Sequence, residues 1–514
     1  MEDRDSKVSR LGPVDLVFAR VEFAELADQT IRPCQDRGII EVRSIPFNKG
    51  TGDINTMLAC FFQKKLRSPS VGDCFGYGVC LCTGIKGRAG CKGLRQDQQC
   101  GAVCTGCFNQ TVSFGQIFFN TASYLVDYAA FARKHVRDIY DRQWNSGRLP
   151  QIAPYAHEDW FMWVMNGSVG WACAGVYIPL YFYRKYGDDR LLRAYYDGML
   201  RYADFMIRRA GKWGGVYAKP MHLSHKNRKY AVNCGQSYGE WAEPNDVMAF
   251  QWYDFAAPHP EESTAYTYFT LKRVLEAAEI LGKPETPQLK RIREYSEGAR
   301  RAYQELVTKE KFTLDTDRQA KLVRPLYMGL LTEEQTKFAE KRLIQAMEHY
   351  GWRLGTGFLS TPLILDVLAE LDISYAYRLL ENEEMPGWLF MPKSGATTIW
   401  EAWEGNTTKD KGIASLNHYS KGAACEWLTN TMCGIRLDGE NRFVLAPRPG
   451  GSITFARASY QSVYGSVKTD WAETETGYRL AVTIPANTTA EVILPDGSRR
   501  TAEAGTHQYE WKKA

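Results

Sequence analysis

From Gln116 to Ile435 the chain carries one helical stripe after another, and no strand–helix–strand rhythm interrupts them. Leu192, Tyr195, Met199, Tyr202 and Met206 recur three or four residues apart behind Asp188-Asp189, which can cap the helix, and the stripe ends at Gly211. Tyr268, Leu271, Leu275, Ala278 and Leu281 form a second stripe, stopped by Gly282. Thr332 and Gln335 make a capping box for a third, with Phe338 and Leu343 behind it. A helix-only period sustained over this length fits an α/α toroid. After Ile435 the period becomes two. Tyr478, Leu480, Val482 and Ile484 alternate with Arg479, Ala481 and Thr483, and Asp496-Gly497 marks a tight turn, so a small β-sandwich is expected from about Leu437 to Trp511.

With 514 residues and 44% apolar content the chain can bury a large core divided among two or three domains. A net charge of +5, spread along the chain, makes no case for nucleic acid. The charged start Met1-Glu2-Asp3-Arg4-Asp5 leads into no apolar run, and nothing approaches a membrane-spanning length. These features point to a cytoplasmic protein without a membrane partner, with Cys173, Cys234, Cys425 and Cys433 as reduced thiols.

Two stretches carry chemistry. In the first, Trp400-Glu401-Ala402-Trp403-Glu404-Gly405 sets two carboxylates among two indoles, and Asn417-His418-Tyr419 follows closely. A carboxylate against indole faces is partly desolvated, which favours its protonated form and makes it a usable base near neutral pH. The indoles, Trp403 among them, are flat enough to stack on a sugar ring. The alternative at this point is that Glu401 pairs with a nearby Lys or Arg. In the second stretch, Tyr238-Gly239-Glu240-Trp241-Ala242-Glu243-Pro244, another Trp lies between two carboxylates. Glu240 and Glu243 read as solvated glutamates at a capped helix end or, failing that, as spare acids. Against this order stands the segment from Cys60 to Cys107, which holds eight of the thirteen cysteines, many glycines and no His. Its irregular spacing, without a pair of CxxC units, fits a zinc or iron–sulfur site poorly, and neither metal nor cofactor is expected.

Taken in order, Thr356-Gly357-Phe358-Leu359-Ser360-Thr361-Pro362, Met385-Pro386-Gly387-Trp388-Leu389, Thr397-Thr398-Ile399-Trp400-Glu401, Asn417-His418-Tyr419 and Glu426-Trp427-Leu428 resemble the catalytic domain of bacterial α-L-rhamnosidases, the inverting glycoside hydrolases of family 78. The resemblance implies a six-hairpin (α/α)6 barrel over 51–436, a C-terminal β-sandwich over 437–514, and in 1–50 the remnant of an N-terminal β region. Leu16–Val21 and Ile39–Val42 are its short β-like runs. It implies Glu401 as general base, His418 and Trp171 as substrate-binding residues, Trp241 as a second stacking residue, and a rhamnose-containing glycoside as substrate. Ahead of the segment similar to Gln116–Ala122, such enzymes carry an acidic loop of the form Asp-Cys-Pro-x-Arg-x-Glu-Arg-x-Gly-Trp-x-Gly-Asp, which supplies the general acid. Ser68–Gly115 matches it only at Asp73-Cys74 and reads like a frame-shifted stretch, within an anomalous region spanning 55–115. Cys173 stands where the family motif has Asp, and a thiol lacks a carboxylate's two acceptor oxygens.

Overall fold

A computed structural model describes residues 40–44, 65–66, 74–75, 112–154, 160–212, 221–233, 238–249, 257–309, 312–405, 415–437 and 441–512. The cysteine-rich segment lies outside these residues, except for the pairing of β2 (Lys65–Leu66) with β3 (Cys74–Phe75). The run Leu16–Val21 and Cys234 also fall outside. Cys173, Cys425 and Cys433 are buried free thiols.

The helices are α1 (Val112–Leu125), α2 (Ala129–Asp141), α3 (Trp160–Met165), α4 (Ala174–Tyr186), α5 (Arg190–Arg209), α6 (His225–Arg228), α7 (Pro260–Ile280), α8 (Pro287–Leu306), α9 (Ala320–Met328), α10 (Glu333–His349), α11 (Thr361–Leu371), α12 (Ile373–Leu380) and α13 (Phe390–Lys393). Their ends follow local chemistry. Thr332 and Gln335 form the expected capping box of α10, and the Thr286 hydroxyl accepts from Leu289 N at the start of α8. Two expectations need correction. Of the expected Asp188-Asp189 cap, Asp188 Oδ1 accepts from Arg190 N at 3.0 Å at the start of α5, whereas the Asp189 side chain makes no cap and accepts from Arg193 one turn on. Phe338 is 48% exposed, because α10 turns Ala339, Leu343, Ala346 and Met347 inward and leaves Phe338 off that stripe.

Contacts among the helices close a ring. α1 touches α4, α4 touches α7, α7 touches α9, and α9 touches α11. α11 then meets the 3-10 turn Ser420–Ala424, and that turn returns to α1. Outside this ring α5 and α8 pack on α7, α10 on α9 and α12 on α11. An inner helix must be apolar nearly all round, and α7 is buried along most of its length, Thr264, Thr267 and Thr270 included. Each outer helix runs back across the ring, so the loops entering the inner helices gather at one end. That is the α/α toroid expected from the helical period.

The C-terminal part holds β4 (Ile435–Leu437), β5 (Arg442–Leu445), β6 (Ile453–Ser462), β7 (Gly465–Thr474), β8 (Gly477–Ile484), β9 (Thr489–Ile493), β10 (Arg499–Ala502) and β11 (Gly505–Lys512). One sheet has the order β1-β6-β7-β8-β11, with β1 at Ile40–Ser44, and the other β10-β9-β5-β4. Leu480, Val482 and Ile484 are buried as the alternation predicts. Its outer strand β1 (Ile40–Ser44) comes from the N-terminal region and pairs antiparallel with β6, Ile40 opposite Ala458. The described strand of residues 1–50 therefore extends the C-terminal sheet. Tyr124 OH donates to Ile435 O at 2.9 Å and Trp471 Nε1 to Met432 O at 2.9 Å, which ties the sandwich to the barrel.

Candidate active site

Residues 398–401 and 415–418 run side by side. Glu401 N donates to Ser415 O at 2.9 Å and His418 N to Ile399 O at 2.7 Å. The same ladder brings Ser415 N to Glu401 Oε2 at 2.8 Å. Glu401 is half-buried and, among the described residues, makes no ion pair. One carboxylate oxygen is thus fixed by the backbone. Gly405 is required nearby: at φ +53° a Cβ would stand 1.9 Å from the Trp400 ring.

His418 is 7% exposed and lies between Phe358 (centroids 5.0 Å apart, planes at 22°) and Tyr419 (5.2 Å, 3°). Burial pushes its pKa down to about 4, against the pull of Glu401. Its Nδ1 accepts from Ser420 N at 3.3 Å, so the neutral ring carries its proton on Nε2 and can donate from there.

The second stretch meets the first through the Gly357-Phe358 turn. Phe358 N donates to Trp241 O at 2.9 Å. Only glycine fits at 357, where a Cβ would lie 1.6 Å from Glu240 O. Trp241 is half-exposed and sits edge-on to Tyr238 at 5.8 Å. Tyr238 in turn is edge-on to Trp171 at 5.1 Å, and Trp171 Nε1 donates to Gly239 O at 3.1 Å. The sequence-derived set Trp171, Trp241, Glu401 and His418 therefore gathers at one end of the ring. Trp403 is there too, but only 1% exposed, with the Lys421 Nζ 3.7 Å from its ring centre. Trp171 is 2% exposed. Of the three indoles only Trp241 shows a substantial surface.

Glu240 and Glu243 are neither solvated nor spare. Glu240 is buried, accepts from Arg324 Nη2 at 2.5 Å, and takes Ser360 N at 2.6 Å and Ser360 Oγ at 2.9 Å. Arg324 also reaches Glu261 at 2.6 Å, so one buried guanidinium bridges two carboxylates. Glu243 is held by both arms of Arg318. The next residue, Gln319, accepts from Gly355 N at 2.8 Å, so the segment at the start of α9 orients the neighbouring loop. Cys173 is fully buried, receiving Gly170 N at 3.3 Å and Thr270 Oγ1 at 3.2 Å, and burial raises its thiol pKa. A cavity of about 610 Å³, lined by His225, Lys226, Arg228, Lys229 and Arg301, shares no residue with the cluster around Glu401. Among the described residues no group of three His, Cys, Asp or Glu side chains is placed to hold a metal.

Residues 113–432 match the family model described as the bacterial alpha-L-rhamnosidase 6 hairpin glycosidase domain, and residues 438–509 match the corresponding C-terminal domain. The chain belongs to the bacterial α-L-rhamnosidase six-hairpin glycosidases. An α-L-rhamnosidase of Streptomyces avermitilis is 32% identical over 392 residues, covering 74% of this chain and 34% of that protein. One from Formosa agariphila is 28% identical over 407 residues, covering 77% and 40%. This family member thus spans between a third and two fifths of the length of these curated relatives. The crystal structure of the S. avermitilis α-L-rhamnosidase complexed with L-rhamnose superposes with a TM-score of 0.70 at 24% identity, covering 93% of this chain and 42% of that one. The Dictyoglumus thermophilum α-L-rhamnosidase gives 0.66 at 24% identity, over 78% and 46%. At this identity the superpositions establish the shared rhamnosidase-family fold.

Sequence reasoning missed two members of the cluster in this rhamnosidase-family barrel, Phe358 and Lys421. Phe358 stands within the run Thr356–Pro362, but its stacking partner His418 is 60 residues away. Lys421 is fully buried with its amine against the Trp403 ring and without a hydrogen bond, a state that no local pattern announces.

Proposed function

We propose that this chain is a glycoside hydrolase that releases terminal L-rhamnose from a glycoside by inversion, with Glu401 as the base that activates water. The observation that carries this reading is the half-buried Glu401, one oxygen held by Ser415 N, no ion pair to it among the described residues, and its neighbour a neutral His418. It stands where the inner-helix entry loops of a rhamnosidase-family ring converge. Trp241 is assigned the stacking contact, His418 Nε2 a hydrogen bond to a sugar hydroxyl, and Trp171 and Trp403 the shaping of the pocket from beneath. A cytoplasmic location belongs to the same reading. It is supported by three buried free thiols, and no described helix is long and apolar enough to cross a membrane.

An inverting reaction also needs a protonated carboxyl about 6.5–9.5 Å from the base. Glu240 and Glu243 are committed to arginines, and residues 68–115 lack the family's acidic loop. This supports slow turnover and keeps a sugar-binding protein without catalysis as the second reading. Release of p-nitrophenol from p-nitrophenyl α-L-rhamnoside, with inversion seen by NMR and abolished in Glu401→Gln, supports the first. Rhamnose binding with no turnover in the unaltered protein overturns it in favour of the second.

A further inference from the structure

The loop that carries Trp241 is held in a strained shape. Ala242, the residue after the indole, has φ +58°, in the left-handed region that an L side chain rarely adopts. Such a conformation persists only where its surroundings over-determine it. Before Ala242, Trp241 O accepts from Phe358 N at 2.9 Å, and Arg324 and Ser360 take the Glu240 carboxylate. After it, Arg318 grips Glu243, and Asp246 Oδ1 accepts from Tyr350 OH at 2.6 Å. This last tie differs from the others. The Asp246 side chain is 57% exposed and water would serve it as well, so the bond is not there to satisfy a buried charge. Tyr350 is nevertheless fixed to make it. Arg353 lies over its ring, 4.1 Å from the centre, and donates to Tyr350 O at 3.1 Å and to Met385 O at 3.0 Å. Tyr350 and Arg353 stand between α10 and α11, in an entry loop at the same end of the ring as Trp241.

We propose that Tyr350 and Asp246 are positioning residues for Trp241. Their hydrogen bond latches the loop 241–246 to the entry of α11 and keeps Ala242 in the conformation that presents the indole to sugar. The proposal rests on Trp241 being the stacking residue. Without the latch, Ala242 relaxes to an ordinary φ and the indole turns from the sugar.

Rhamnose binding is measured by calorimetry on the unaltered protein, Tyr350→Phe, Trp241→Ala and the double variant, and on Tyr350→Phe combined with Ala242→Gly. Tyr350→Phe should weaken binding about threefold to tenfold, the worth of one such hydrogen bond. KM for p-nitrophenyl α-L-rhamnoside should rise by the same factor with little change in kcat. Asp246→Asn, which keeps an acceptor, should bind nearly as the unaltered protein does. In the Trp241→Ala background Tyr350→Phe should cost nothing, because the residue it positions is gone. Glycine adopts the left-handed conformation without strain, so Ala242→Gly should restore most of the binding that Tyr350→Phe loses. A general loss of packing would not be rescued in this way. Binding lost equally with and without Trp241, or not recovered by glycine, overturns the proposal. If Trp241→Ala binds weakly and Tyr350→Phe binds normally, the latch alone fails. If Trp241→Ala binds as the unaltered protein does, or the unaltered protein binds no rhamnose, the stacking assignment fails and the latch with it.

Discussion

Phe358 lies nearly parallel to His418, ring centres 5.0 Å apart, while its own backbone N–H holds Trp241 O. This single residue therefore joins the two stretches that carry the site. Phe358→Leu keeps most of the buried volume and loses the ring contact, which is worth about 0.5–1.5 kcal/mol. Rhamnose affinity measured by calorimetry should fall roughly threefold to tenfold, with less than about 1.5 kcal/mol of stability lost. Unchanged affinity would show that His418 needs no support from that side.

Arg324 bridges Glu240 and Glu261, and all three side chains are buried. Removing the cation strands two carboxylates, and the cost of breaking such a pair is about 3–5 kcal/mol. Arg324→Met should lower the urea midpoint accordingly at pH 7. Adding Glu240→Gln and Glu261→Gln to the same chain should recover most of the loss. If the triple variant is no better than the single, the charge balance is not what Arg324 supplies.

These cases also show what the residues disclosed in advance. The toroid was legible because core faces repeat at the helical period along each segment, and the sandwich because the period falls to two after Ile435. Glu401 and His418 were legible because they are near in sequence and are joined by a short ladder. Glu240 was misread as a solvated or spare acid because its partner Arg324 lies 84 residues away inside a helix. Phe338 was misread because a stripe counted from sequence can slip by one residue without breaking its period. Lys421 was overlooked because burial is a property of the closed ring, and that closure depends on contacts between α1 and the turn at 420–424, some 300 residues apart.

His135 in α2 is 1% exposed, and neither ring nitrogen has a hydrogen-bond partner. Burial lowers its pKa to about 4, with Asp138 opposing. The folded value is below the unfolded one, so the unfolded chain binds the extra proton between about pH 6.5 and 4. Stability is then fully present above that window and is lost as pH falls through it, by up to about 1.4 kcal/mol per pH unit for each such group. His418 adds a second slope of the same sign. His135→Leu should flatten the dependence of urea stability between pH 6 and 5 by roughly half of what the two histidines contribute. An unaltered slope would mean that His135 is hydrated in solution.

The family's acidic loop has no sequence counterpart in residues 68–115 beyond Asp73-Cys74. Residues 68–111 lead directly into α1, which packs on α4 and on the turn at 420–424. The chain has Asp73-Cys74 there but none of the Arg-x-Glu-Arg pattern that follows in the family's loop. General acid assistance contributes about 10²–10⁴-fold to rate. Replacing residues 68–111 by a loop of the form Asp-Cys-Pro-x-Arg-x-Glu-Arg-x-Gly-Trp-x-Gly-Asp should therefore raise kcat on p-nitrophenyl α-L-rhamnoside. The rise should be larger on a substrate with a poor alkyl leaving group, because p-nitrophenolate departs with little protonation. A graft that folds, binds rhamnose and gains equally on both substrates would show that the loop supplies binding and not the proton.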